Sequence, residues 1–272
     1  NIIFLLIVVL VGGSIVGIYA GPKGIFKVWY WFGNQGWEYL EPGKLWQSIL
    51  FVVFIMWGVA LFRALKPVIS LKQPWALPNW LVYSTLSILL LLISGFIATP
   101  KTNFVITDFW RWCVIHMWAE AFFEVFTTVL VGYFMVLMGL VSRESAIRVI
   151  YLATLLFLGS GLLGISHNFY WNAKPVATMA LGSVFSTLQV VPLILLTLEA
   201  WRFRNLPQLA SSEAPANSPM SFGMMDIFLF LIGVNFWNFF GAGVMGFIIN
   251  LPLANYYEHG TYLTVNHGHA AL

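Results

Sequence analysis

Long apolar runs broken by short polar punctuation make up nearly the whole chain. Runs of about 20 residues, the length an α-helix needs to cross a bilayer, lie at roughly 2–20, 45–65, 79–98, 109–141, 146–169, 175–201 and 222–250, and an eighth begins near 262. The pattern predicts an all-α polytopic membrane protein with seven complete crossings and the start of another. Helix boundaries carry the expected breakers: Gly21-Pro22, Lys66-Pro67, the turn from Lys72 to Pro78, Thr99-Pro100-Lys101, the Ser142–Ser145 cap and Lys174-Pro175. One linker-like stretch, Leu206 to Ser221, is too short for a domain, and no repeat is visible. A single transmembrane catalytic domain over 1–272 is therefore expected. Asn1 opens into an apolar run with no basic segment before it, and the last helix has only begun at Leu272, so the expectation is an internal piece of a longer chain.

Composition agrees with this reading. Of 272 residues, 60% are hydrophobic and 8% charged, and the mean hydropathy is +0.85, too little charge to solvate a globule. The net charge of +3 has no basic cluster behind it, which argues against nucleic acid and for bilayer orientation. Loops 63–77, 142–148 and 202–221 hold seven Lys and Arg against six in the opposite set, so they are assigned to the cytoplasmic side by a narrow margin. A lone cysteine, Cys113, excludes an internal disulfide and any CxxC site. Metal chemistry must rest on His, Glu and Asn.

All five histidines, His116, His167, His259, His267 and His269, fall on the side opposite that cytoplasmic set. One intramembrane histidine is more often a hydrogen-bonded core residue than a ligand. Four helix-borne ones at similar depth reverse that preference. His267 and His269 are two positions apart, about 200° around a helix, so they cannot easily share one metal but can bind two, one on each flank. On the 109–141 helix, His116, Glu120 and Glu124 recur every four residues on one face. Each carboxylate in hydrocarbon costs a few kcal/mol, which marks it as functional by default. Glu120 could complete a metal site with His116, and Glu124, one turn deeper, could support that site or carry protons. The alternative is that both glutamates are protonated and paired with Asn or Gln on neighbouring helices.

The segments His116-Met-Trp-Ala-Glu120-Ala-Phe-Phe-Glu124, Ser166-His167-Asn168-Phe-Tyr-Trp171 and Asn255 to His269 together resemble the nitric oxide reductase branch of the haem–copper oxidase superfamily, above all its single-chain quinol-type enzymes. That resemblance implies a haem–copper oxidase catalytic core. It implies His267 as axial ligand of a high-spin haem and His269 as a ligand of a low-spin haem whose other histidine lies on an earlier helix. It further implies that His116, Glu120 and His167 hold a non-haem iron, a reasonable metal for a mixed His and carboxylate set. Trp37-Glu38-Tyr-Leu-Glu41 resembles the segment whose first glutamate, here Glu38, contributes to a calcium site bridging haem propionates. Glu41 and His259 are assigned to the same propionate region. The implied location is the inner, cytoplasmic membrane, with the site toward the periplasm.

Two departures from the family pattern carry the functional expectation. Asn168 stands where the reductases have a second histidine, and Gln189 stands where they have a glutamate. An amide oxygen is a weaker, neutral ligand, and glutamine cannot carry a proton. This pattern resembles the proposed nitric oxide dismutases, so the leading expectation is conversion of two NO to N2 and O2. A quinol-dependent nitric oxide reductase forming N2O is the runner-up. A transporter or channel, the reading from another class, leaves the paired terminal histidines unexplained and lacks broken-helix symmetry.

Overall fold

The computed structural model describes residues 1–21, 23–25, 29–33, 41–137, 142–169, 175–188, 232–234 and 236–271, with isolated positions 191, 195, 198, 229 and 230. Within those stretches the side chains of Glu120, Ser160, Asn238, Ala242, Val265, His269 and Ala271 stand outside the description. The elements are helical, and the chain divides into two compact units, Asn1–Leu130 and Val131–Leu272.

In the first unit, α1 (Ile2–Ala20) is followed by the short α2 (Trp29–Phe32), α3 (Lys44–Leu65), α4 (Leu77–Phe96) and the start of α5 (Phe104–Leu137). Little of α1 is buried, and most of its Ile, Leu and Val side chains, Leu10 excepted, are exposed, as a lipid-facing helix requires. Gly17 lets α2 lie against it, since a Cβ there would stand 2.2 Å from the Phe32 carbonyl oxygen. The Trp46 indole N–H donates to that same carbonyl at 3.1 Å and ties α3 to α2. Lys44 opens α3 with its side chain buried, donating through Nζ to Gln47 Oε1 at 3.1 Å and to the Gly95 carbonyl in the 3₁₀ turn that ends α4. Asn79, in the first turn of α4, holds the preceding connection through Ser70 and Gln73. Asn103 caps α5 by accepting from the Val105 N–H at 2.9 Å. Edge-to-face contacts among Phe54, Trp57, Trp118, Phe123 and Phe126, with centroids 4.9–6.5 Å apart, pack α3 against α5.

In the second unit, α6 (Arg143–Phe169) is capped by Ser142, whose hydroxyl oxygen accepts from the Ser145 N–H at 3.1 Å. It ends in a 3₁₀ turn, Ile165–Phe169, against which α7 (Val176–Leu188) packs back. Next come α8 (Ile232–Ile249), α9 (Pro252–Glu258) and α10 (Tyr262–Ala271). Gly260, at φ +76°, makes the turn between the last two. The Thr261 and Thr264 hydroxyls then donate to the Glu258 carbonyl at 2.6 and 3.1 Å.

Among the described residues six helices are long and apolar enough to cross a membrane: α1, α3, α4, α5, α6 and α8. The expected 175–201 crossing is described as a helix only over the 13 residues of α7, and the expected 222–250 crossing over α8. The chain is a multi-pass membrane protein in its helices; the number seven is not reached on the described residues alone.

Candidate functional site

In the first unit the predicted chemistry sits on α5. His116 is completely buried, and Glu124, four residues beyond Glu120, is half-buried. The helix here is not the α-helix expected: from Cys113 to Phe123 it is a π-helix. Bonding from i to i+5 widens the turn to more than four residues, so positions four apart fall short of a full turn instead of overshooting it. His116 and Glu120 still share a face, but its drift runs opposite to the α-helical expectation. Such stretches occur mostly as single-turn bulges at functional sites, and this one spans eleven residues.

In the second unit, Ser166, His167 and Asn168 are all buried on the 3₁₀ turn that ends α6. Ser166 donates to the Thr178 carbonyl of α7 at 2.9 Å. Gly182, one turn further along α7, allows this approach: a Cβ there would lie 2.1 Å from Ser166 Oγ and 3.0 Å from the His167 backbone nitrogen. The His167 ring is oriented through Nδ1, which is hydrogen-bonded to Ser186 Oγ at 2.5 Å.

His267 lies buried on α10. Its Nδ1 is 2.7 Å from the Gly241 carbonyl oxygen. A carbonyl only accepts, so Nδ1 carries the proton and any metal bond is directed to Nε2. Gly241 belongs to a second π-helical stretch, Asn238–Val244 in α8. Two glycines let α10 approach α8, and one of them gives the ring its space. At Gly241 a Cβ would meet Ala270 at 2.4 Å, and at Gly246 it would meet His267 Cε1 at 2.8 Å and Nε2 at 3.4 Å. The α-helical form of α10 separates positions 267 and 269 by about 200°, as two metals on two flanks require.

The predicted residues are thus placed unevenly. His116 and Glu124 are described in the first unit, and His167, Asn168 and His267 in the second. For Glu120 and His269 only the backbone is described, and Glu38 and Gln189 lie outside the described residues. Glu41 is half-buried ahead of α3, and His259 ends α9, donating its N–H to the Asn255 carbonyl. Among the described residues no three His, Cys, Asp or Glu side chains gather as a metal-binding group.

Where the groups are described, they suit a metal cofactor. A buried imidazole with its Nδ1 proton fixed on a carbonyl, in a recess that a Cβ at Gly246 would fill, is fit to serve as an iron ligand. Sequence reasoning named the imidazoles but missed Ser186, Gly241 and Gly246, which set their orientation. A weak signal existed for Ser186, which shares a helix face with Gly182 at the small-residue spacing of packed membrane helices.

The sequence matches the family described as cytochrome C and quinol oxidase polypeptide I over residues 1–272. It is also similar to a subunit of the nitric oxide reductase of Stutzerimonas stutzeri, with 31% identity over 163 residues. That alignment covers 60% of this chain and 32% of the relative, so it spans about a third of the relative's length.

Proposed function

Because the chain belongs to the cytochrome c and quinol oxidase polypeptide I family, we propose that it forms the haem- and iron-bearing catalytic core of an oxidoreductase acting on nitric oxide. Residues 1–272 then act as one transmembrane catalytic domain in the inner, cytoplasmic membrane, with the site toward the periplasm. The similarity to a nitric oxide reductase supports the substrate. Any membrane transport role is secondary to this family assignment.

His267 is assigned to the high-spin haem and His269 to the low-spin haem. His116, Glu120 and His167 are assigned to a non-haem iron, and Glu38 to a calcium ion at the haem propionates. When bound, haem and non-haem iron would supply one-electron redox chemistry toward NO. The protein's own residues determine what else reaches that site. The Gly241 carbonyl takes the proton on His267 Nδ1, so it is Nε2 that would face a metal. Asn168 brings a neutral amide beside His167, and Gln189 brings no proton. Glu124 remains as the carboxyl that can hold one.

The finer proposal is dismutation. Reduction of two NO to N2O and water consumes two electrons and two protons, whereas conversion of two NO to N2 and O2 consumes neither. A site with asparagine and glutamine in place of a histidine and a glutamate has lost both a strong ligand and a proton donor. The observation carrying this reading is Asn168, buried directly after His167 on the same 3₁₀ turn. Reduction to N2O, with quinol as the electron donor, is the second reading; the name of the similar protein, a nitric oxide reductase subunit, favours the reduction.

The deciding experiment supplies 15N-labelled NO, without reductant, to membranes holding the full-length protein. Labelled N2 and an equal amount of unlabelled O2 are expected. Labelled N2O formed only with quinol, and no N2, would sink the dismutase reading. A purified protein without a haem Soret band would sink the redox reading altogether.

A further inference from the structure

We infer that Ser186 is the positioning residue for His167, holding its imidazole in the tautomer and orientation that present Nε2 to a metal. The inference rests on the reading of His167 as a ligand of the non-haem iron. It deepens that reading by naming a group on another helix that nothing in the family assignment supplies.

The geometry is closed at both ends. Ser186 is 1% exposed, and His167 is 3% exposed, so water does not compete for either group. Ser186 Oγ lies 2.5 Å from His167 Nδ1 and 3.3 Å from the Gly164 carbonyl oxygen. A hydroxyl has one proton to give. The carbonyl can only accept; with the hydroxyl proton directed to Gly164, Ser186 Oγ accepts from Nδ1–H. The imidazole is therefore held as the Nδ1–H tautomer, and metal ligation is directed to Nε2.

The arrangement parallels that of His267, whose Nδ1–H is taken by the Gly241 carbonyl. There the acceptor is backbone and cannot be mutated away. At His167 it is one side chain, on α7, a helix that packs against the turn bearing the histidine. The neighbouring hydroxyl differs in kind: Thr187 Oγ1 donates only within its own helix, to Ser183 and Val184 at 2.9 and 3.0 Å. Thr187 is therefore the matched control.

Partners that orient a ligating histidine through its second nitrogen typically change metal affinity by about 10- to 100-fold when removed. The test uses full-length protein purified in detergent, comparing wild type with Ser186→Ala, Ser186→Cys and Thr187→Ala. Non-haem iron per haem is measured during exposure to a ferrous chelator, with the haem Soret band and thermal midpoint recorded alongside. Iron is expected to be held about 10- to 100-fold less tightly in Ser186→Ala, with the Soret band unchanged. Thr187→Ala should match wild type. Ser186→Cys keeps the volume but accepts weakly; it should fall between, and it decides the matter if the alanine variant does not assemble. Iron held equally by wild type and Ser186→Cys, or lost equally from Ser186→Ala and Thr187→Ala, overturns the role of Ser186 alone. A wild-type protein with haem but no non-haem iron overturns the ligand reading of His167 and this inference with it.

Discussion

Gly182→Ala tests the packing that presents His167 and Asn168. Within a helix, alanine is favoured over glycine by about 1 kcal/mol, so α7 taken alone predicts stabilisation. The surroundings oppose it. The new Cβ would lie 2.1 Å from Ser166 Oγ, and ordinary contact begins near 3.4 Å, so the hydroxyl must retreat by more than an ångström. That retreat breaks its hydrogen bond to the Thr178 carbonyl, at about 1 kcal/mol. The His167 backbone nitrogen, 3.0 Å from the same Cβ, cannot rotate away as a side chain can. Overpacking of this sort costs about 1–3 kcal/mol. Clash and lost bond together outweigh helix propensity, leaving a net loss of about 1–3 kcal/mol. In the full-length protein that lowers the thermal midpoint by at most about 2–12 °C. Gly12 in α1 is the comparison, because a Cβ there meets nothing within 4 Å. The same substitution at Gly12 should leave the midpoint unchanged or raise it. The assay is a thermal melt of the full-length protein in detergent, followed by tryptophan fluorescence and by the haem band. A midpoint that rises for Gly182→Ala as for Gly12→Ala would refute the close approach of α7 to the ligand turn.

Other substitutions probe the remaining contacts. Gly246→Ala should push the His267 ring by several tenths of an ångström and weaken high-spin haem ligation, seen as haem loss or an altered Soret maximum; an unchanged spectrum would count against His267 as the ligand held there. Lys44→Glu would set a carboxylate against two acceptors, Gly95 O and Gln47 Oε1, and should destabilise by more than about 3 kcal/mol, whereas Lys44→Met should cost about 1–2 kcal/mol; equal melting midpoints for the two would refute a buried ammonium that joins α3 to α4. Asn168→His should shift labelled products from N2 toward N2O when quinol is present, and an unaltered product ratio would remove Asn168 as the determinant.

Much of this was legible in the chain because hydropathy is a local property. The expected runs at 2–20, 45–65 and 79–98 correspond to α1, α3 and α4, since about 20 apolar residues between breakers suffice to specify a crossing. His116, His167 and His267 could be singled out because an imidazole in an apolar run is chemically conspicuous, and all three are buried. Their orientation was not legible. Ser186 bonds to a histidine 19 positions earlier, and Gly241 to one 26 positions later; neither residue type announces such a partner. The π-helical form of α5 was equally hidden, because positions four apart share a face in either helix type and an apolar pattern cannot count residues per turn.

That π-helical stretch also sets what kinds of sequence change the chain can survive. Because Cys113–Phe123 accommodates more residues per turn than the helix on either side, it behaves as absorbed insertions. Deleting a single position there, such as Ala119, removes one absorbed residue and lets the turn tighten toward an ordinary α-helix while the flanking turns keep their register. His116 and Glu124 would then stand seven positions apart, about 700° around an α-helix, and would keep one face. Here a one-residue gap is a milder lesion than in the α-helical flanks, where each deleted residue turns the rest of the helix by about 100°.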